Sequence, residues 1–337
     1  MNLRSQPKTS CHNTTSYVPL VSGILLSACA VAVIYLTSDH LSRFDLVGKT
    51  KPFAYPWRLQ QPSNMARVTA WLGYCLHNLF SWVMIWIAKR RYEHFESRMR
   101  GLNWCFLAGH ILFFIGHYIQ THIWYDGLAA DVPEVTALGS VALMLIVVLL
   151  LEAPRRGLFW GHGKRFPKQM WITLKKYHGY LFTWALTYTF WYHPTASSPG
   201  HLIGFFYLLI LLWQSVLIFH ELHRNRYWII FLEIMVIPHA VVVAYYQGNQ
   251  LWPMFLFGFS MVFLITQMHA FKIIPLLKIS VAISLALVII GTYSYFGRIK
   301  QLHEIIRIPL LDYSIAGLII LTFFFFSPGT KTQRPAT

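Results

Sequence analysis

Histidine is the residue type with the greatest chemical capacity in this chain. There are 16 in 337 residues. Ten lie within apolar stretches or at their ends: His77, His110, His117, His122, His178, His193, His201, His220, His239 and His269. Neutral imidazole ligates haem iron and other transition metals, and it exchanges protons near neutral pH. An ionisable side chain inside a bilayer is costly and faces a bundle interior or a polar cavity. A hydrogen bond to a neighbouring helix accounts for one such histidine. Ten in one chain point to bound metal, bound protons or both.

Spacing narrows the choice. His110 and His117 are seven residues apart, so on a helix they share a face with about 10 Å between them. Gly109 and Gly116 repeat that interval one residue earlier and are expected to admit a flat cofactor or another helix. His178 and His193 are fifteen residues apart, about 22 Å along a helix axis and on roughly one side. His220-Glu221-Leu222-His223 would set two imidazoles at i and i+3 on one helix face, able to grip one metal ion.

The elements that must position these groups are membrane helices. The chain is 56% hydrophobic and only 12% charged, about half the charged fraction of soluble domains. Ten spans are predicted: 17–37, 66–88, 103–125, 133–152, 177–195, 200–221, 227–247, 250–271, 274–296 and 306–326. Each is about 20 residues long, matching a hydrocarbon core of about 30 Å. Pro238 predicts a kink in the seventh. Pro52, Phe53, Tyr55, Pro56, Trp57 and Pro62 predict an ordered external segment within loop 38–65. Trp124-Tyr125, Trp191-Tyr192 and Tyr245-Tyr246 read as parts of an aromatic belt.

Basic residues set the expected orientation. Segments 89–102 and 153–176 are rich in Lys and Arg, and Arg224, Arg226, Lys272 and Lys278 follow spans six and eight. Loops 126–132, 194–200 and 247–251 carry none, and the first holds Asp126 and Asp131. The positive-inside rule then places both termini in the cytoplasm. The net charge of +16 belongs to these loops, and no nucleic-acid partner is implied. Residues 1–337 form one membrane domain with short tails, 1–16 and 327–337, in the plasma (inner) membrane if the cell is bacterial. The first helix is expected to be retained, although Leu26-Ser27-Ala28-Cys29 has the form of a lipoprotein cleavage box. Cys11, Cys29, Cys75 and Cys105 show no disulfide or zinc pattern. The Asn13-Thr14-Thr15 sequon is a chance-level pattern.

On this topology the histidines form two levels. His117, His122, His193 and His201 are outer; His178, His220, His223 and His269 are inner. His110 lies between the inner surface and the midplane, with His77 and His239 nearer the midplane. Paired levels of histidine in a helix bundle resemble the transmembrane haem-b cytochromes, including ferric-reductase-like bundles. That resemblance implies electron transfer, with His110, His122, His178 and His193 as haem ligands. The alternative is a non-haem iron enzyme acting on a lipid or isoprenoid substrate, with a metal among His117, His201, His220, His223, His239 and His269. Its histidine clustering is similar to that of membrane hydroxylases, desaturases and carotenoid-cleaving oxygenases, although the full desaturase histidine boxes are missing. A third reading is a transporter or assembly factor whose histidines bind protons, metal ions or substrate. Glu233 and Asp312 are the carboxylates well inside spans, and each requires a partner or a task. Without a phosphate loop or dinucleotide fingerprint, a redox protein of this kind takes electrons from a donor protein or a quinone.

Overall fold

The computed structural model describes residues 16–48, 55–162, 167–248, 250–271 and 273–326. Cys11, the Asn13 sequon, residues 49–54 of the first long loop, residues 163–166, Lys272 and most of both tails lie outside them. The described chain is all helical, with only isolated bridges of extended backbone. In order, the helices are α1 (Val18–Leu36), α2 (Asn64–Arg91), α3 (Gly101–Trp124), α4 (Glu134–Arg156), α5 (Lys168–Tyr192), α6 (Pro199–Val216), α7 (Arg226–Ile234), α8 (Val236–Gln247), α9 (Trp252–Ile265), α10 (Pro275–Tyr295) and α11 (Arg307–Phe326).

Nine segments among the described residues are long and apolar enough to cross a membrane, with α7 and α8 together making one of them. This marks an integral membrane protein. The fifth expected span, 177–195, lies mostly in α5, which does not meet that measure despite its 25 residues. It is too polar, and its position explains why. Thr183, Thr187 and Thr189 are buried, and each hydroxyl donates to the carbonyl four residues earlier. Packed against α2, α4 and α6, α5 meets protein where other helices meet lipid. At the other extreme, α10 has a single buried residue, Tyr293, and presents Leu276, Leu287 and Val288 outward.

Local chemistry sets the boundaries. Ser63 caps α2 by accepting from the Ala66 N–H at 3.0 Å, and Asn225 caps α7 by accepting from Tyr227 and Trp228. Lys89, Arg90 and Arg91 close α2, where cations complement the helix dipole. The expected kink is present. The proline ring at position 238 conflicts with the carbonyl four residues back, Ile234, and the helix breaks there, with Met235 between α7 and α8. The sixth span is shorter than expected: α6 stops at Val216, and the chain turns before a 3-10 turn at Glu221–Arg224.

Helices α2, α3, α5 and α6 carry six of the ten histidines of the apolar segments: His77, His110, His117, His122, His178 and His201. At one end of this group lie the basic loops: Lys89 at the end of α2 donates to the Lys176 carbonyl on α5. The opposite end is covered by the α1–α2 connection, where Tyr55 is 6% exposed and packs into the main apolar cluster.

Candidate functional site

At the covered end, Tyr55 stands between two imidazoles. Its hydroxyl is 2.5 Å from His201 Nε2 and 3.0 Å from His193 Nδ1. Tyr55 donates to one ring and accepts from the other. His201 opens α6, and its Nδ1 faces the Ser198 hydroxyl at 2.7 Å. His193 follows the last residue of α5 in extended backbone. Burial away from water pushes the Tyr55 hydroxyl well above the ordinary phenol range, so it holds its proton.

His117 lies beneath this cluster on α3. Its Nε2 faces the His193 carbonyl at 2.8 Å, and its Nδ1 faces Gln120 Oε1 at 3.2 Å. The Gln120 amide is oriented by its Nε2 donating to the Asp126 carbonyl at 2.7 Å. Both ring nitrogens therefore meet oxygen acceptors, and the neutral ring donates to one of them at a time, according to its tautomer.

Deeper in the bundle, the hydrogen bonds run in one direction. The Trp191 indole N–H donates to His77 Nδ1 at 3.2 Å. That fixes the His77 proton on Nε2, which donates to His110 Nδ1 at 2.8 Å. The His110 proton is then on Nε2 and donates to Ser215 Oγ at 3.0 Å. The Ser215 hydroxyl in turn donates to the Leu212 carbonyl at 2.6 Å. Both nitrogens of His77 and of His110 are occupied, so a metal on either ring would displace a bond. The rings are enclosed by aromatics: Phe113 stacks on His77 at 4.3 Å, and Phe190 lies edge-on at 5.5 Å.

Of the two α3 glycines expected to admit a cofactor or another helix, Gly109 lies against α2. A side chain at Gly109 would strike the Phe80 ring, while Gly116 faces open space on the outer surface. Small size at Gly109 serves α2–α3 packing.

The basic end holds imidazoles of another kind. His178 directs Nδ1 at the Leu174 and Lys175 carbonyls, 3.2 and 2.9 Å away. His223 directs Nδ1 at the Gln214 carbonyl, 3.0 Å away. A carbonyl only accepts, so both rings are protonated on Nδ1 and carry a lone pair on Nε2. Burial pulls His223 down to about 4, and the nearby His178 opposes its charge further. His122 on α3 has the same arrangement, with Nδ1 on the Tyr118 carbonyl at 2.9 Å and a buried Nε2 that has no hydrogen-bond partner among the described residues.

The expected i, i+3 grip of His220 and His223 is not formed. His220 precedes the 3-10 turn in extended backbone, and its Nδ1 accepts from the Leu222 N–H at 3.1 Å. It acts as a cap. His239 lies beside Tyr207 and Gly204, and His269 beside Trp160 and Lys278. Thus His220, His239 and His269 occupy three separate neighbourhoods. Among the described residues, no group of three or more His, Cys, Asp or Glu is arranged to hold a metal ion.

Several contributors were not legible in the sequence. Tyr55 was visible only as part of an aromatic and proline cluster. Arg156 appeared to belong to a basic loop, yet it is 3% exposed and grips Glu233 with two hydrogen bonds of 2.5 and 2.8 Å. This pair supplies the partner expected for Glu233. Asp312 lines a cavity of about 30 Å³ beside that pair. Asp126, in the loop after α3, accepts from the Leu59 N–H at 3.0 Å. Burial pushes its carboxyl up to about 6, against the lowering effect of that hydrogen bond.

No known protein family, curated protein or solved structure matches this chain. The functional reading therefore rests on the residues themselves.

Proposed function

We propose that this is a membrane redox protein that holds iron, as haem b, at histidines near the ends of the bundle. The supporting observation is the shared arrangement of His178, His223 and His122. Each gives its Nδ1 proton to a main-chain carbonyl and leaves an Nε2 lone pair. Histidines that ligate metals are oriented in this way. Haem supplies four nitrogens of its own, so two imidazoles complete its coordination, whereas a non-haem iron site needs a larger set of side chains. His178 and His223 are the pair we assign to the basic end. His122 is the ligand we assign to the other end, with His193 as its expected partner. His110 becomes a positioning group through its bonds to His77 and Ser215. The bound group would supply one-electron chemistry, and the protein would set its potential through ligation and burial. Electrons would come from a donor protein or a quinone. The basic end would face the cytoplasm, by the positive-inside rule.

The Tyr55 cluster favours a second reading, a transporter that binds and passes protons. A hydroxyl between two imidazoles can reverse its donor direction, and His117 faces two acceptors. Absorption spectroscopy of protein purified from haem-replete cells separates the readings. A Soret band that shifts on reduction, weakened in His178→Ala and in His223→Ala, abolished only when His122→Ala is added to either, and unchanged in His110→Ala, is the expected result. Monodisperse protein without a Soret band would overturn the haem reading. Iron without that band would favour the non-haem enzyme, and protein without iron the proton-binding transporter.

A further inference from the structure

A cavity of about 600 Å³ opens at the basic end, away from the histidine chain. It lies between the end of α4, the start of α5, the end of the α9 segment and the start of α10. Arg155, Lys168, Trp171, His269 and Lys278 line it, with the Gly157–Gly161 turn. We propose that this cavity binds a phosphomonoester, either the headgroup of a lipid or a soluble phosphorylated compound.

Charge is the first argument. The two arginines at the cavity have carboxylate partners: Arg155 pairs with Glu152, and Arg156 with Glu233. Among the described residues, Lys168 and Lys278 have none. Lys278 Nζ faces His269 Nδ1 at 3.4 Å, so the imidazole can orient the ammonium without neutralising it. Two unneutralised ammonium groups match a dianionic oxyanion better than a single carboxylate.

The wall provides the second argument. Gly157 and Gly161 both adopt positive φ, +82° and +76°. A Cβ at Gly157 would approach Gly161 Cα to 2.7 Å, and one at Gly161 would press on His269 Nδ1 at 3.3 Å. The turn is closed by reciprocal Phe159–His162 backbone bonds and anchored by the Trp160 N–H on the Ile265 carbonyl at 2.8 Å. The result is a fixed wall of bare main chain. The third observation concerns a donor: the Trp171 indole N–H is buried and has no hydrogen-bond partner among the described residues. A buried donor left unmatched is costly, and an oxyanion in the cavity would satisfy it.

The cavity is larger than inorganic phosphate requires, and its size lies in the range of small-molecule sites. Ile274, Leu276 and Leu277 at the start of α10 are exposed beside it, which offers an apolar surface for acyl chains.

The test is calorimetric titration of the full chain in neutral detergent with short-chain phosphatidic acid, and separately with inorganic phosphate. Lys168→Gln/Lys278→Gln should weaken binding at least tenfold. Arg91→Gln/Arg98→Gln removes the same charge from exposed positions at the same end and should leave binding unchanged. Trp171→Phe keeps the ring, removes the N–H and should weaken binding several-fold, which preserves the test if the lysine variant does not fold. Competition by millimolar phosphate would assign the site to a soluble compound. Binding of phosphatidic acid without such competition would assign it to a lipid. Equal loss in the two charge variants, or no binding of either probe to the unaltered chain, would overturn the proposal.

Discussion

The molecule buries polar groups in two ways. Between α2, α3, α5 and α6 it uses neutral rings, with Trp191, His77, His110 and Ser215 satisfying one another in sequence. Between α4 and α7 it uses full charges, with Arg156 held by Glu233 in a two-pronged pair. A neutral chain costs little to bury once each donor has an acceptor. A buried ion pair carries the desolvation of two charges, which its mutual attraction repays only while both members are present. The first region can therefore tolerate small disturbances that the second cannot. It can also rearrange protons, because each ring has two sites for one hydrogen.

The largest effect should come from breaking the charged pair. Glu233→Ala leaves Arg156 charged and almost fully enclosed, and should destabilise the fold by about 3–5 kcal/mol. Replacing both members, as in Arg156→Met/Glu233→Leu, should restore most of that loss. Unfolding in mixed neutral-detergent and SDS micelles measures both. Equal loss in the single and double variants would remove the contrast between the two regions.

The neutral chain should respond less. His77→Phe keeps an aromatic ring against Phe113 but strands the Trp191 N–H and His110 Nδ1. Each unmatched buried group costs about 1–3 kcal/mol. His110→Phe should cost a similar amount, and the double variant less than the sum, since the rings share a bond. Strict additivity in the same unfolding assay would show that the rings are not coupled.

How much of this was legible in the sequence differs between the regions. The helices were visible because α1, α4 and α10 carry long uninterrupted apolar runs, as lipid demands. Helix α5 was placed by its length and its terminal histidines, but its start lies nine residues earlier than expected. Its first turns, with Lys168, Lys175 and Lys176, look like loop to any measure of hydropathy. The concentration of histidines was evident, but their partners were not. His77 pairs with His110 across α2 and α3, and that depends on helix neighbours. Arg156 was hidden by its neighbour Arg155, because one rotation of about 100° along a helix turns a surface cation into a buried one. Tyr55 was hidden because a loop folds back over the bundle, a tertiary event without a periodic signal.

The pH response offers a finer comparison between the two ends. Asp126 has a carboxyl raised to about 6 from 3.8, so the folded form holds a proton that the unfolded chain has released. Its contribution to stability is present below pH 3.8 and is lost as pH rises toward 6. His223 is lowered to about 4 from 6.5, so the unfolded chain takes up a proton that the folded form refuses. Its contribution is present above pH 6.5 and is lost as pH falls toward 4. Each unit of displacement carries about 1.4 kcal/mol at full effect. Asp126→Asn should flatten the falling component, and His223→Gln the rising one, in unfolding curves between pH 4 and 7. A reversed sign in either variant would contradict the assigned burial.

The smallest effect should come from a charge pair outside both cores. Arg67 Nε donates to Asp131 at 2.7 Å near the covered end, with side chains 40% and 28% exposed. Water solvates both partners, so the pair should contribute about 0–1 kcal/mol, and added salt should weaken it. Asp131 also accepts from the Trp71 indole at 2.9 Å. Arg67→Gln should therefore cost less than Asp131→Ala, because it leaves the tryptophan bond intact. The difference should persist at high salt, since the indole bond involves only one charge. Unfolding of both variants at low and high ionic strength checks this order. If Arg67→Gln instead approached the cost of Glu233→Ala, exposure would not be what separates the two pairs, and the contrast between the buried and solvated regions would fail at its weaker end.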